Sequence, residues 1–368
     1  MTSSIALTES EKNIVDCLTN RLPWSIARPL ILSLGFITGL GKEKTLEKVY
    51  ASLEALKSND KIKFDKKILQ IKELAFSQFL YGDKAIFSIS CGQSDVAKIV
   101  DGFEKSWNNN KLKLGIDEVI LNEKKIGKVK NNELEVIHFS IENDMAMVLF
   151  TTVRTQVIKE KVVPAQVPGY EQYDEIIAKT KIKTQCFDAC TIDIKNNRIN
   201  ILIDISGNVS SSESLFPKSV MIRKISDYIG GNLKYTEKDF FPLIDPICSQ
   251  SNRPFIDVDY KVFDLSFHTV EGTSHKERKS DDAKDLRDDL FNKAGIKAVG
   301  GSIGLYRIGI RVSRKNKELN LFDNVELLIP GTLRRYLGGS KNAPVNYAII
   351  KNCITRSDFE TLTNLLMA

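Results

Sequence analysis

At 368 residues, 42% of them hydrophobic and 27% charged, the chain has ample material for a packed core and lies far from disordered or fibrous compositions. Its length exceeds the size at which one core usually keeps growing, so two or three domains are expected. A net charge of +6 and a pI near 8.8 favour anionic partners without requiring them.

Six cysteines (Cys17, Cys91, Cys186, Cys190, Cys248, Cys353) are spread along the chain with no CxxC pair, and none of the three histidines (His138, His268, His275) adjoins a cysteine pair. That spacing argues against a disulfide scaffold and a zinc site, and predicts reduced thiols. The longest apolar stretch, residues 26–40, is broken by Arg28 and Pro29 and is too short to cross a bilayer. With no charged-then-apolar leader, the sequence predicts a cytoplasmic protein without a membrane partner.

Residues 1–82 read as a helical domain. Thr8-Glu9-Ser10-Glu11 fits a capping box leading into Ile14, Val15 and Leu18 at helical spacing. Pro23 and Pro29 punctuate a second helix, and Gly35, Gly39 and Gly41 close it. Leu46, Val49, Tyr50, Leu53 and Leu56 stripe a third helix, and Ile68, Ile71, Leu74, Ala75 and Phe79 a fourth.

Near residue 83 the period drops to 2, opening an expected second domain over 83–240. A strand at 85–90 precedes a helix carrying Val96, Ile99, Val100, Phe103 and Trp107 on one face. Strands 133–140 and 145–153 flank Glu142-Asn143-Asp144 and form a hairpin, followed by a looser connection with Pro164, Pro168 and Gly169. A two-residue turn at Asn196-Asn197 predicts a second hairpin in which Ile194 faces Ile199, Ile192 faces Ile201 and Cys190 faces Ile203. Pro217 sits in the first turn of a helix that Gly230-Gly231 stops.

A third domain is expected over 241–368. It contains a strand at 255–267, a polar loop at 268–279, and a helix capped near Ser280 with Ala283, Leu286, Leu290 and Ala294 inward, ending at Gly295. Strands at 305–312, 325–329 and 347–351 and a helix at 357–367 complete it. The fold class is α+β: an N-terminal helical domain, then one or two mixed, mainly antiparallel sheet lobes with packed helices. No solenoid repeat or low-complexity segment is present.

For recognition, the strand at 305–312 alternates Tyr306, Ile308, Ile310 and Val312 with Arg307, Gly309 and Arg311, so both arginines project from one face. Arg314 and Lys315 extend the cluster, with Lys317, Arg334, Arg335 and Lys341 further on. Guanidinium groups bind phosphate through paired donors. The bland alternative is an edge strand guarded by its charges. Gly300-Gly301-Ser302 lacks the lysine and helix of a phosphate loop and reads as a turn. Two lysine groups, Lys61, Lys63, Lys66, Lys67 and Lys72, and Lys124, Lys125, Lys128 and Lys130, fit either phosphate tracking or ordinary solvated faces.

For catalysis, Asp257, Asp259 and Lys261 share one face of a strand, with Asp245 upstream. The arrangement resembles in outline the acid-x-lysine pair of the PD-(D/E)xK nucleases, which implies a magnesium site activating water. A solvent-facing polar row explains the same residues. No GxSxG, GxGxxG or HExxH motif is present. Cys186 and Cys190, Trp24, Trp107 and His138 read as core or structural residues, and His268 and His275 flank a polar loop.

The sequence therefore leads to a non-enzymatic, sequence-independent nucleic-acid-binding protein, with DNA the favoured ligand, acting through Arg307, Arg311, Arg314, Lys315, Arg334 and Arg335. Its helical domain would bind another protein or contribute further basic surface, and the whole could equally be an assembly protein acting through the basic sheet surface, in chromosome maintenance or defence. The alternatives are a magnesium-dependent nuclease using Asp245, Asp257, Asp259 and Lys261, and a protein-interaction scaffold without nucleic acid.

Overall fold

The computed structural model describes residues 5–109, 115–206, 214–249, 259–279, 284–298, 300, 303–316, 319, 321–338 and 344–367. The apolar stripes of the first 82 residues fold into α1 (Glu9–Arg21), α2 (Trp24–Ser33), α3 (Gly41–Asn59) and α4 (Lys61–Tyr81). The capping box at Thr8 forms: its hydroxyl accepts from the Glu11 amide at 3.2 Å, while the Glu11 carboxylate accepts from the Thr8 amide at 2.7 Å. Two orphan amides of α1 are thus satisfied locally.

The chain then builds β1 (Lys84–Cys91), α5 (Gln93–Asn109), α6 (Ile116–Val119), α7 (Glu123–Lys128), β2 (Glu135–Glu142) and β3 (Met145–Val162). After these come β4 (Ile176–Asp193), β5 (Arg198–Asp204), α8 (Leu215–Ile229), β6 (Tyr235–Glu237) and α9 (Ile244–Cys248). The last third supplies β7 (Tyr260–Thr269), β8 (Ser274–Arg278), α10 (Leu290–Ala298), β9 (Ile303–Asn316), β10 (Leu321–Ile329), α11 (Leu333–Leu337), β11 (Ala348–Lys351) and α12 (Arg356–Met367). The α+β reading holds. Among the described residues no helix is long and apolar enough to cross a membrane.

One antiparallel sheet runs β2-β3-β4-β5-β1-β11-β10-β9-β7-β8, with β6 added beside the end of β1. β1 is the seam, pairing with β5 on one side and with β11 on the other. The sheet thus continues across the boundary expected near residue 240. Alternation assigns the two faces. Ile86, Leu149, Phe187, Leu202, Ile310 and Leu327 join the core of α1–α4 and α12, whereas Phe87, Val148, Phe150, Cys190, Ile201 and Ile203 meet α5 and α8. Phe79 of α4 stacks on Phe187 of β4, with ring centroids 3.8 Å apart.

Several local expectations are met and others are corrected. Asn143 and Asp144 both take positive φ in the β2–β3 turn, as a tight hairpin demands, and Gly230 ends α8 in the left-handed region. The β4–β5 register differs from the expected one by two residues: Ile192 pairs with Ile199 and Cys190 with Ile201. The turn is longer because Asp193 accepts hydrogen bonds from the Asn196 amide and side chain and pairs with Arg198, while Asn197 takes φ 54°. A shift of two keeps every side chain on its expected face.

Residues 268–279, expected as a loop, contain β8, which pairs with β7. The expected helix after them is a short 3-10 turn at Leu286–Asp288 followed by α10. Residues 255–258 of the expected strand, the Ser280 cap, Ala283, Gly301 and Ser302 lie outside the described residues.

The largest departure lies in β3 and β4. The expected loose connection beyond residue 153 is instead a long hairpin: pairing continues from Met145↔Asp193 to Val162↔Ile176. β2 accompanies β3 only as far as Thr151, and β5 accompanies β4 only from Ala189. Beyond those points the two strands form a ribbon that projects from the sheet.

Candidate nucleic-acid interface

The arginine strand occupies an interior position in the sheet. β9 lies between β7 and β10, which excludes an edge strand guarded by charge. Arg307 and Arg311 do share a face, as period 2 requires, but each meets a carboxylate from a neighbouring strand. Arg307 grips Asp264 of β7 through Nε to Oδ1 at 2.8 Å and Nη2 to Oδ2 at 2.9 Å. Arg311 meets Glu326 of β10, its cross-strand partner, at 2.5 and 3.0 Å, and its guanidinium lies 4.7 Å from the Phe263 ring. Both forks are therefore occupied.

The remaining basic residues of that cluster are dispersed. Arg334 and Arg335 lie on α11, against the start of β9, where Tyr336 crosses Gly304. Arg335 donates to the Pro344 carbonyl at 3.0 Å, and Arg334 is exposed. Lys315 is exposed at the opposite end of β9, about 35 Å away at strand rise. Arg314 belongs to the same end, and Lys317 and Lys341 lie outside the described residues.

The acid-lysine strand is only partly within view. Asp257 lies outside the described residues, and Asp245 is exposed on α9. Asp259 and Lys261 line a cleft of about 730 Å³ with Lys279, Asp285, Arg287 and Asp289. Its charges are largely paired: Arg287 with Asp285 at 2.6 Å and Lys279 with Asp289 at 3.1 Å. Among the described residues no group of three or more His, Cys, Asp or Glu side chains is placed to hold a metal ion.

The basic surface sits on the ribbon. Strand register puts Thr155, Val157, Lys159 and Lys161 of β3 on the same face as Ile177, Lys179, Lys181 and Lys183 of β4. Lys159 stands directly opposite Lys179, and Val157 opposite Lys181. Like charges placed opposite each other destabilise a strand pair. Lys159, Lys179 and Lys181 are exposed and form no ion pair among the described residues; Lys161 reaches Glu175 at 2.6 Å in open solvent, where such a pair contributes little. The opposite face carries Ile158, Val162, Ile176, Ala178 and Ile182 with Glu160.

The lysine face continues into α7. Lys183 donates to the Gly127 and Val129 carbonyls, both at 2.9 Å, fixing that segment beside the ribbon's base. Lys124, Lys125, Lys128 and Lys130 are exposed there. Asn131 bridges to Val153 and its side chain donates to Thr155 at 2.6 Å. The other lysine group is partly neutralised: Lys61 pairs with Asp65, Lys63 with Asp60, and Lys67 donates to the Leu34 carbonyl.

A buried charge network anchors the ribbon's root. Where β5 ends, the Phe187 amide of β4 has no ladder partner, and the Asp204 carboxylate accepts it at 2.7 Å. Arg21 of α1 pairs with the same carboxylate at 2.8 Å and stacks over Phe79 and Phe187. Arg154 of β3 pairs with Asp188 of β4, whose other oxygen accepts from the Asp204 amide at 2.9 Å. Lys84, fully buried, donates to the Phe79 carbonyl at the C-terminal end of α4 and to the Phe187 carbonyl. Burial pushes its ammonium down to about 8 despite the opposing pull of Asp204. For Asp204, burial acts to raise the carboxyl, but Arg21 and Lys84 outweigh it and hold it far below the carboxylate range. Burial also raises the thiols at this level, Cys17 to about 11 and Cys186 to about 12.

The ribbon lysines had a signal in the sequence, lysines at i and i+2 in 159–161 and again in 179–183, where period 2 gathers them on one face. The carboxylates opposing Arg307 and Arg311 had none, because they come from other strands. Neither known family models nor curated proteins give a match to this chain.

Proposed function

We propose that this protein binds nucleic acid without sequence preference through the lysine face of the β3–β4 ribbon, with α7 extending the contact. The observation that supports the reading is the alignment of Lys159, Lys161, Lys179, Lys181 and Lys183 on one face, with no acid among the strand residues of that face. Such a face lowers the protein's own stability through self-repulsion and gains when phosphates replace its counterions. It carries no arginine and no asparagine, and Gln185 at its base is committed to Thr151, the Val119 carbonyl and the Leu121 amide, so paired readers of base edges are missing. Arg307 and Arg311 take a structural role in this reading, because binding phosphate would strip each from a carboxylate.

The test is a titration of the protein and of a variant with a shortened ribbon, in which Asn-Gly joins Gln156 directly to Ile182, against labelled DNA and RNA at 50 and 200 mM salt. Four phosphate contacts, from the exposed Lys159, Lys161, Lys179 and Lys181, predict a slope of about −3.6 in log affinity against log salt, a loss of about 150-fold over that interval. The shortened variant should fold and lose most of the affinity. Equal, salt-sensitive binding by both proteins would remove the ribbon from the reading. Magnesium-dependent cleavage in a parallel set would bring back the nuclease.

A further inference from the structure

Resting on that reading, we infer that the ribbon is shaped for one form of nucleic acid: the major groove of B-form double-stranded DNA. From Thr155↔Lys183 to Val162↔Ile176 the ribbon is eight residue pairs long, about 27 Å at strand rise, with its two strands about 4.8 Å apart. With side chains on both faces it is roughly 10 Å thick. A groove about 12 Å wide and 8.5 Å deep admits a two-stranded ribbon of that section, whereas a minor groove about 6 Å wide does not. The major groove of A-form RNA is deep and narrow and excludes it as well.

The charge layout fits the same geometry. Lys159 and Lys161 stand on one strand, Lys179 and Lys181 on the other. A ribbon seated lengthwise in the groove therefore directs one lysine pair towards each phosphate wall. Val157 and Ile177, each opposite a lysine of the other strand, add only apolar groups to that face, and the Thr155 hydroxyl at its base accepts from the Asn131 side chain. No aromatic residue stands along the lysine face on which successive bases would stack; Tyr170 and Tyr173, with ring centroids 5.7 Å apart, lie beyond it in the connection between the two strands.

The experiment compares one sequence of 20 base pairs as DNA duplex, RNA duplex and single-stranded DNA, with methyl green as a major-groove competitor and netropsin as a minor-groove competitor. The expected result is at least tenfold tighter binding to the DNA duplex than to either other form, with displacement by methyl green and none by netropsin. Equal or tighter binding to RNA or single strands, or displacement by netropsin alone, overturns the major-groove assignment while leaving phosphate binding by the ribbon intact. Absence of binding to all three forms overturns both.

Discussion

Replacing Arg307 with methionine separates a structural from a binding role for the β9 arginines. The Asp264 side chain is 8% exposed, and both of its oxygens are held by the Arg307 fork. Removing the cation leaves a buried carboxylate without its charge partner, a change that typically costs 3–5 kcal/mol. Arg307 is itself 30% exposed, so solvent relieves part of this and about 3 kcal/mol is the expected loss. With an unfolding entropy of about 2.1 cal/mol/K per residue, a chain of this length has a Tm lower by about 4 °C. The double variant Arg307→Met/Asp264→Leu should regain most of that, since the stranded charge is gone. Calorimetry measures the stability change and fluorescence anisotropy the DNA affinity, which should change by less than threefold. A single variant that keeps its Tm within about 1 °C yet loses tenfold in affinity would refute this account and return the binding face to β9.

Asp204→Asn should cost about 4 kcal/mol, since Arg21 and Lys84 both lose their carboxylate, and hydrogen exchange at the Phe187 amide should quicken more than at Cys190. The stability difference between the parent and Lys84→Met should depend on pH. Because burial depresses the folded pKa to about 8 against 10.5 unfolded, the penalty for the buried charge is present below pH 8 and is relieved as pH rises. The parent should gain about 2 kcal/mol on the variant between pH 7 and 9.5, and a flat difference in urea titrations would contradict this. Gly331→Ala places a Cβ 1.7 Å from the Tyr306 carbonyl oxygen, so backbone must move, and a loss of about 3 kcal/mol is expected on thermal unfolding.

Local chemistry was legible in the sequence. The stripes of α1, α3 and α4, the Thr8 capping box, the Asn143-Asp144 turn and the Gly230 stop depend on residues a few positions apart, and each formed where the pattern placed it, whereas Gly41, read as closing the second helix, opens α3. What escaped depends on partners distant in the chain. The extension of β3 and β4 past residue 153 carries polar and apolar residues on both faces, so alternation alone gave no inward side to recognise. Register at Asn196-Asn197 slipped by two because Asp193 organises a longer turn, which periodicity does not distinguish. The arginines of β9 were visible, but Asp264 and Glu326, which occupy them, are brought alongside only by strand order. The lysines at 159–161 and 179–183 become one surface for the same reason.

The most direct measurement is the salt dependence of DNA-duplex binding by the parent and by the triple variant Lys159→Glu/Lys179→Glu/Lys181→Glu, with circular dichroism confirming that both fold. Loss of three phosphate contacts predicts a slope shallower by about 2.7 and a large drop in affinity at 50 mM salt. A folded variant with the parent's slope and affinity would contradict the claim that the ribbon is the binding face.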